Sequence, residues 1–288
     1  MKSYIYNAFI APDEEVGGNT ATVILDADTL SGSEKEKIVA DATTKDVVFV
    51  LKPTKERADL RLEYFVNGQT MVISGHATIA AIGCMFDNDL LGEGSLSLEL
   101  MNGHIVYASY KDGMAYLEQE HPSYEEPSME DIMSVLLAAG LSMTDVLPGY
   151  MPMVVCATNR SFVVGVQNLK ILAKMKPDFE KLSALSRELD IIGFVFFSPE
   201  TVHKENDFST RVFAPAYGIN EDSASGTLAG ALGCYVYDLQ ESEQDTFYVE
   251  QGYFMEPKRP SFVKVYMETE GRKFLGPRVG GIANPVIG

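Results

Sequence analysis

The first third of the chain is written in short alternating runs. "SYIYNAFIA", "TATVILDA", "DVVFVLKP" and "ADLRLEYFV" combine β-branched and aromatic residues between polar boundaries, which predicts four strands. Between the second and third lies "LSGSEKEKIVADA", where Ser33 and Glu36 have capping-box spacing and predict a short helix. "SLSLELM", "HIVYASYK" and "MAYLEQE" follow, separated by Asn102-Gly103 and Asp112-Gly113. Both dipeptides are strong hairpin signals, so residues 95–119 are expected to form a three-strand meander. The polar, acidic, proline-bearing "HPSYEEPSMED" marks a boundary between lobes.

Beyond it the pattern predicts a helix over about 128–139, stopped by Gly140. "MVVCAT" and "RSFVVGV" read as strands. "DFEKLSALSRELD" places Phe179, Leu182, Leu185 and Leu189 at helical spacing. "IIGFVFFS", "DFSTRVFAP", "TFYVEQGYF", "SFVKVYMET" and "GRKFLG" are strand-like again. Two segments stand apart because they are rich in small residues: "SGHATIAAIGC" (74–84) and "SGTLAGALGC" (225–234). Each begins Ser-Gly, ends Gly-Cys and predicts a helix with Ser74 or Ser225 near its N-cap. The pattern is an internal duplication, each half an array of mostly antiparallel strands around one small-residue helix. The fold class is α+β.

Composition narrows the function. The chain has 288 residues, 46% of them hydrophobic, and 23 basic against 41 acidic residues give a formal net charge of −18. Such a balance argues against nucleic acid or an anionic membrane as partner, while leaving room for a local pocket that takes a small anion. The three cysteines, Cys84, Cys156 and Cys234, are far apart and form no CxxC pair, so no metal site is expected. Their odd number suits a reducing cytoplasm, the N-terminal run lacks the apolar region of a signal peptide, and no apolar stretch is long enough to span a membrane.

The candidate chemistry gathers at the two Ser-Gly turns. A helix N-terminus presents unpaired N–H groups and a partial positive charge, and glycine lets a ligand approach them; two such termini suit a carboxylate. The same small residues also serve simple close packing. His76 falls on the first turn of its helix, whose positive end favours the neutral ring, able to donate a hydrogen bond and shuttle a proton. Glu221 and Asp222 precede the second turn, as capping partners or with one of them as an acid or base. Asp46 opens "DVVFVLKP" on the face shared with Val48 and Val50. There it is either a solvated strand end or a carboxylate drawn inward for proton transfer.

Gly75-His76-Ala77-Thr78, then Arg211-Val-Phe-Ala-Pro215 and Glu221-Asp222-Ser-Ala-Ser-Gly226, resemble the PhzF-like phenazine-biosynthesis family. Gly18-Asn19, Gln251-Gly252, Arg259-Pro260-Ser261 and the terminal Val279-Gly-Gly281 extend the likeness over nearly the whole chain in the right order. The resemblance implies a diaminopimelate-epimerase-like fold of two similar lobes, each a strand barrel around a central helix, with the active site between them. It implies lobes at 1–119, completed by about 279–288, and at 120–278. It also implies isomerisation of the kind performed on trans-2,3-dihydro-3-hydroxyanthranilate, with no metal or organic cofactor, in a cytoplasmic homodimer acting on a small carboxylate.

Carried over residue by residue, the resemblance makes Asp46, His76 and Asp222 catalytic. Asn19, Ser74, Gly75, Gly226 and Thr227 become substrate-binding. In the related epimerases two cysteines stand at the places of Ser74 and Ser225; a serine hydroxyl is too weak an acid to replace a thiol at carbon, which disfavours a two-thiol mechanism. Two departures stand out. The family's principal acid/base is a Glu, and Asp46 is shorter by a methylene, drawing its oxygens back by roughly 1.5 Å, a displacement large enough to slow catalysis. "EYFVNGQTM" departs from the usual R-x-F-x-P-x-x-E, with only Phe65 fitting and Glu63, Asn67 and Thr70 replacing Arg, Pro and Glu, so this wall of the pocket is expected to be altered. A non-catalytic small-anion-binding protein that keeps the pocket is the alternative function. A duplicated structural protein without a functional cleft is the third.

Overall fold

The computed structural model describes residues 1–270 and 273–286. They divide into two compact units, Met1–Glu118 with Gly280–Gly288, and Gln119–Val279. The first holds β1 (Lys2–Ala8), β2 (Asn19–Leu25), α1 (Gly32–Asp41), β3 (Asp46–Leu51), β4 (Leu60–Val66), β5 (Gln69–Met71), α2 (Gly75–Asp87), β6 (Gly94–Leu100), β7 (Ile105–Lys111) and β8 (Met114–Glu118). The chain's last strand, β18 (Ala283–Pro285), also belongs here, because it pairs with β1. The second unit holds β9 (Ser123–Glu125), α3 (Met129–Ala138), β10 (Met153–Cys156), β11 (Arg160–Gly165), α4 (Leu169–Lys174), α5 (Phe179–Glu188), β12 (Gly193–Ser198), β13 (Phe208–Ala214), β14 (Ile219–Asp222), α6 (Gly226–Cys234), β15 (Thr246–Gln251) and β16 (Ser261–Glu270). β17 (Lys273–Gly281) follows; of "GRKFLG", Gly271 and Arg272 lie outside the described residues.

The duplication is a duplication of topology. In the first unit β18, β1 and β2 run antiparallel, β3 joins β2 in parallel, β4 pairs antiparallel with β3, β6 lies parallel to β4, and β7 returns antiparallel. In the second, β9, β10, β11, β12, β13, β15 and β16 repeat the same succession. The strands of each unit pack on its small-residue helix: α2 against β1, β2, β3, β8 and β18, and α6 against β10, β11, β12 and β16. Small residues permit this closeness. A Cβ at Gly83 would stand 2.7 Å from the Cβ of Ala283, and one at Gly233 would stand 2.5 Å from Met267 Cε.

Both faces of β3 are buried. Val47, Phe49 and Leu51 pack with Ile24 and Phe65 beneath Ile38 and Val39 of α1, while Asp46, Val48 and Val50 turn to the face that α2 covers. α1 starts two residues earlier than the sequence suggests. The capping box is Ser31 with Glu34, not Ser33 with Glu36, so Gly32 opens the helix. The expected boundary segment contains β9, which pairs with β10.

Each unit also repeats a buried latch. Glu99 on β6 accepts backbone N–H bonds from Thr54 (2.6 Å) and Lys55 (3.1 Å) and a bond from the Thr54 hydroxyl. Glu250 on β15 accepts from the N–H groups of Val202 (2.5 Å) and His203 (3.1 Å) and from Asn206 Nδ2 (2.9 Å). Both carboxylates fix the loop that enters the strand beside them, and donors aimed at Glu99 hold its carboxyl below the ordinary range, the Thr54 hydroxyl foremost.

Candidate active site

The first unit brings together three of the predicted residues. Asp46 begins β3, between Ala21 of β2 and Val66 of β4, and is only 6% exposed. Ser74 Oγ donates to Asp46 Oδ1 across 3.2 Å, and His76 Nε2 lies 3.3 Å from the same oxygen. The Thr44 hydroxyl donates to the Asp46 carbonyl at 2.7 Å and meets the Thr22 hydroxyl at 2.7 Å, which pins the entry to the strand. A carboxylate, a hydroxyl and an imidazole thus converge at the positive end of α2, with the carboxylate and the hydroxyl buried. The carboxylate can accept a proton, and the ring can hold or relay one.

Gly75 and His76 at the helix start are partly exposed, as a ligand-facing turn requires. Asn19 is the first residue of β2, opposite Ala8, also partly exposed. Gly18 before it has φ +67°, and a Cβ there would stand 2.5 Å from the Ala8 carbonyl oxygen, so only glycine fits.

The second unit carries the other candidates. Glu221 and Asp222 end β14, and the structure tells them apart. Arg211 forks onto Glu221, with Nε and Nη2 donating to its two oxygens at 2.8 and 2.7 Å, and its Nη1 donates to the carbonyls of Leu172 (3.4 Å) and Met175 (3.1 Å). Glu221 is therefore committed to holding the sheet. Asp222 is positioned by its backbone: Gln251 Nε2 donates to its carbonyl at 2.7 Å, and the Ser225 N–H donates to Gln251 Oε1 at 3.4 Å. Gln251 thereby ties the end of β14 to the start of α6. The Gly226 carbonyl accepts from Gln119 Nε2 at 3.1 Å, and Thr227 is half-buried on the first turn. Gly252 has φ +82° and lies so close to Arg259 that a Cβ would stand 1.9 Å from its carbonyl oxygen, which accounts for the glycine in Gln251-Gly252.

The two units differ where the first holds its carboxylate. Asp46 opposite Ala21 and Gly193 opposite Ser161 occupy the same place in the repeated topology. A Cβ on Gly193 would stand 3.2 Å from Leu228 Cδ2. Leu228 is the third residue of α6, where α2 has Ala77. One unit pairs a carboxylate with an alanine, and the other pairs a glycine with a leucine that fills the space.

One expectation is adjusted. Glu63 lies opposite Phe49, on the α1 face of the sheet and not the Asp46 face, in a buried ion-pair cluster with Lys35 (2.6 Å) and Arg61 (2.7 Å). The departure from the family pattern at Glu63 therefore rewires the packing under α1. Phe65, the residue that fits, packs in the same core. Cys84 and Cys234 are fully buried at the far portions of α2 and α6, as core residues. Among the described residues no cluster of His, Cys, Asp and Glu could hold a metal ion, and no helix is long and apolar enough to cross a membrane.

This repeated strand-and-helix topology is an epimerase-like fold. A hydroxyproline epimerase from Agrobacterium vitis shares the fold, with a TM-score of 0.58 at 13% identity over 99% of this chain and 91% of that one. A nearer structural relative is a Bacillus anthracis phenazine biosynthesis protein of the PhzF family, with a TM-score of 0.86 and 26% identity over 100% of this chain and 98% of that one. In sequence, the uncharacterized isomerase YddE of Salmonella typhimurium is 31% identical over 243 residues, 82% of this chain and 80% of the relative. Residues 6–287 match the phenazine biosynthesis-like protein family (PhzC-PhzF), and the chain belongs to that family. It is an isomerase by class.

Proposed function

We propose that the protein is a cofactor-independent isomerase of a small carboxylate, working by proton transfer at carbon. The observation that carries this reading is the buried Asp46 carboxylate, held through Oδ1 by Ser74 and flanked by His76 at the start of α2. Asp46 takes a proton from one carbon and returns it to another on the same face of the substrate. A single base favours this outcome, and Gly193 in the equivalent place supports it, since that place offers no second carboxylate. His76 holds a polar group of the substrate and shares the proton traffic. The N–H group at Gly75 binds the substrate carboxylate, with a hydrogen bond from Asn19; the family resemblance gives Gly226 and Thr227 the same kind of role. The family resemblance gives Asp222 a part in holding the substrate's polar groups, and the commitment of Glu221 to Arg211 favours Asp222 over Glu221 for it.

The test is proton NMR in D₂O with trans-2,3-dihydro-3-hydroxyanthranilate as the first probe and other small carboxylates after it. Wild-type protein should consume substrate and introduce deuterium at carbon. Asp46→Asn should bind the same ligand by calorimetry while turning over at least about 10³-fold more slowly. An Asp46→Asn variant with wild-type turnover would remove Asp46 from the reaction.

A further inference from the structure

Four α-helices among the described residues begin on a serine N-cap, and one of those serines behaves differently. Ser31, Ser128 and Ser225 each accept a hydrogen bond from a backbone N–H of their own helix, namely those of Glu34, Asp131 and Leu228. Ser74 makes no such bond. Its hydroxyl donates instead to Asp46 Oδ1. Ser74 and Ser225 stand at the same place in the repeated topology, before Gly75 and Gly226, so the contrast is internally controlled. Where the neighbouring strand opens with a carboxylate, the serine leaves the cap to serve it. Where that strand opens with Gly193 and Leu228 fills the space, the serine caps its helix.

Capping is the stable default for serine at this position, and forgoing it leaves a first-turn N–H without that partner. The exchange places two neighbours, Ser74 and His76, on one oxygen of Asp46. Among the described residues the other oxygen, Oδ2, takes part in no hydrogen bond or ion pair. We propose that Ser74 is a positioning residue: its hydroxyl orients the Asp46 carboxylate through Oδ1, so that Oδ2 is the oxygen that exchanges the proton with substrate. This rests on the reading of Asp46 as the acid/base. It gives Ser74 a different part from a substrate contact, and a different part from the thiol bases of the related epimerases. It also supplies what a short carboxylate needs, since Asp has one fewer rotatable bond than Glu and a single anchored oxygen fixes the direction of the other.

The first arm of the test needs no substrate. Protein labelled with ¹³C at the aspartate side-chain carboxyl carbons is observed by NMR at pH 7, and the Asp46 signal is assigned by its loss in Asp46→Asn. A hydroxyl bonded to Oδ1 alters the shielding of that carbon, so Ser74→Ala should move the Asp46 signal. Ser74→Thr should restore its position, and Ser225→Ala should leave it where it is. Ser74→Gly serves the same comparison if the alanine variant fails to fold. An Asp46 signal that stays put in both Ser74→Ala and Ser74→Gly overturns the proposal.

The second arm is turnover of trans-2,3-dihydro-3-hydroxyanthranilate in D₂O. Ser74→Ala should lower kcat on the order of tenfold with KM within about twofold, and Ser74→Thr should recover kcat. A raised KM with kcat retained would make Ser74 a substrate contact and overturn the positioning role. If the Asp46 signal moves as expected while wild-type protein processes no carboxylate, Ser74 still orients Asp46, and it is the isomerase reading that fails.

Discussion

Replacing Glu221 with alanine should damage stability far more than chemistry. Arg211 is 7% exposed, and its charge is met by the forked contact to Glu221 at 2.8 and 2.7 Å and by the Leu172 and Met175 carbonyls. The guanidinium also lies 5.2 Å from the centre of the Phe213 ring. Removing the carboxylate leaves a buried cation with two carbonyls and a ring face, and breaking a buried pair from one side costs about 3–5 kcal/mol. Glu221→Gln keeps an acceptor and should cost about 1–3 kcal/mol. The double replacement Arg211→Met/Glu221→Leu removes both charges and fills the same volume, and should return to within about 1 kcal/mol of wild type. Urea denaturation followed by tyrosine fluorescence reads this directly, because the chain has 14 tyrosines and no tryptophan. A Glu221→Ala loss below about 0.5 kcal/mol would refute the burial argument. Lost turnover in a Glu221→Gln protein of unchanged stability would return Glu221 to the list of acid/base candidates.

Two further outcomes follow from the same reasoning. Burial pushes the Cys84 thiol up from 9.0 to about 12, and burial likewise raises Cys234. An unfolded thiol ionises above about pH 9 while the native one stays protonated, so the native state holds more protons and stability falls as pH rises from about 9 towards 12. Thermal melts across that range should show a falling Tm, and Ellman's reagent at pH 8 should leave both thiols unmodified until the protein unfolds. Gly252→Ala should cost about 3 kcal/mol, from the positive φ and the 1.9 Å approach of the added Cβ to the Arg259 carbonyl, and should lower Tm by about 6 °C or more. An unchanged melt would show that the turn can rearrange.

Much of the architecture is legible in the sequence because its signals are local. The small-residue segments announce both central helices, Asn-Gly and Asp-Gly announce the meander, and periodicity finds α3 and α5. The register of α1 is not decidable locally, because "SGSEKE" contains two overlapping Ser-x-x-Glu frames and both satisfy the motif. α4 spans six residues, too short to display a period. Asp46 and His76 can be nominated from the sequence, but their shared oxygen cannot, since it depends on which face of β3 meets α2. The Glu99 and Glu250 latches repeat in space without repeating any sequence motif. The commitment of Glu221 to Arg211 depends on a strand pairing ten residues away along the chain. What local patterns omit is consistently the partner across the sheet.

The placement of β18 has a consequence for biosynthesis. The unit that carries Asp46, Ser74 and His76 borrows its outermost strand from residues 283–285, and Ala283 closes against Gly83 of α2. That strand leaves the ribosome roughly 160 residues after β8, on the order of 10–30 s later at ordinary elongation rates. Until then β1 presents an unpaired edge and α2 an open flank. The half of the protein made first is thus the half finished last, and a nascent chain stalled short of Ala283 leaves the residues of the proposed proton transfer in an unfinished barrel.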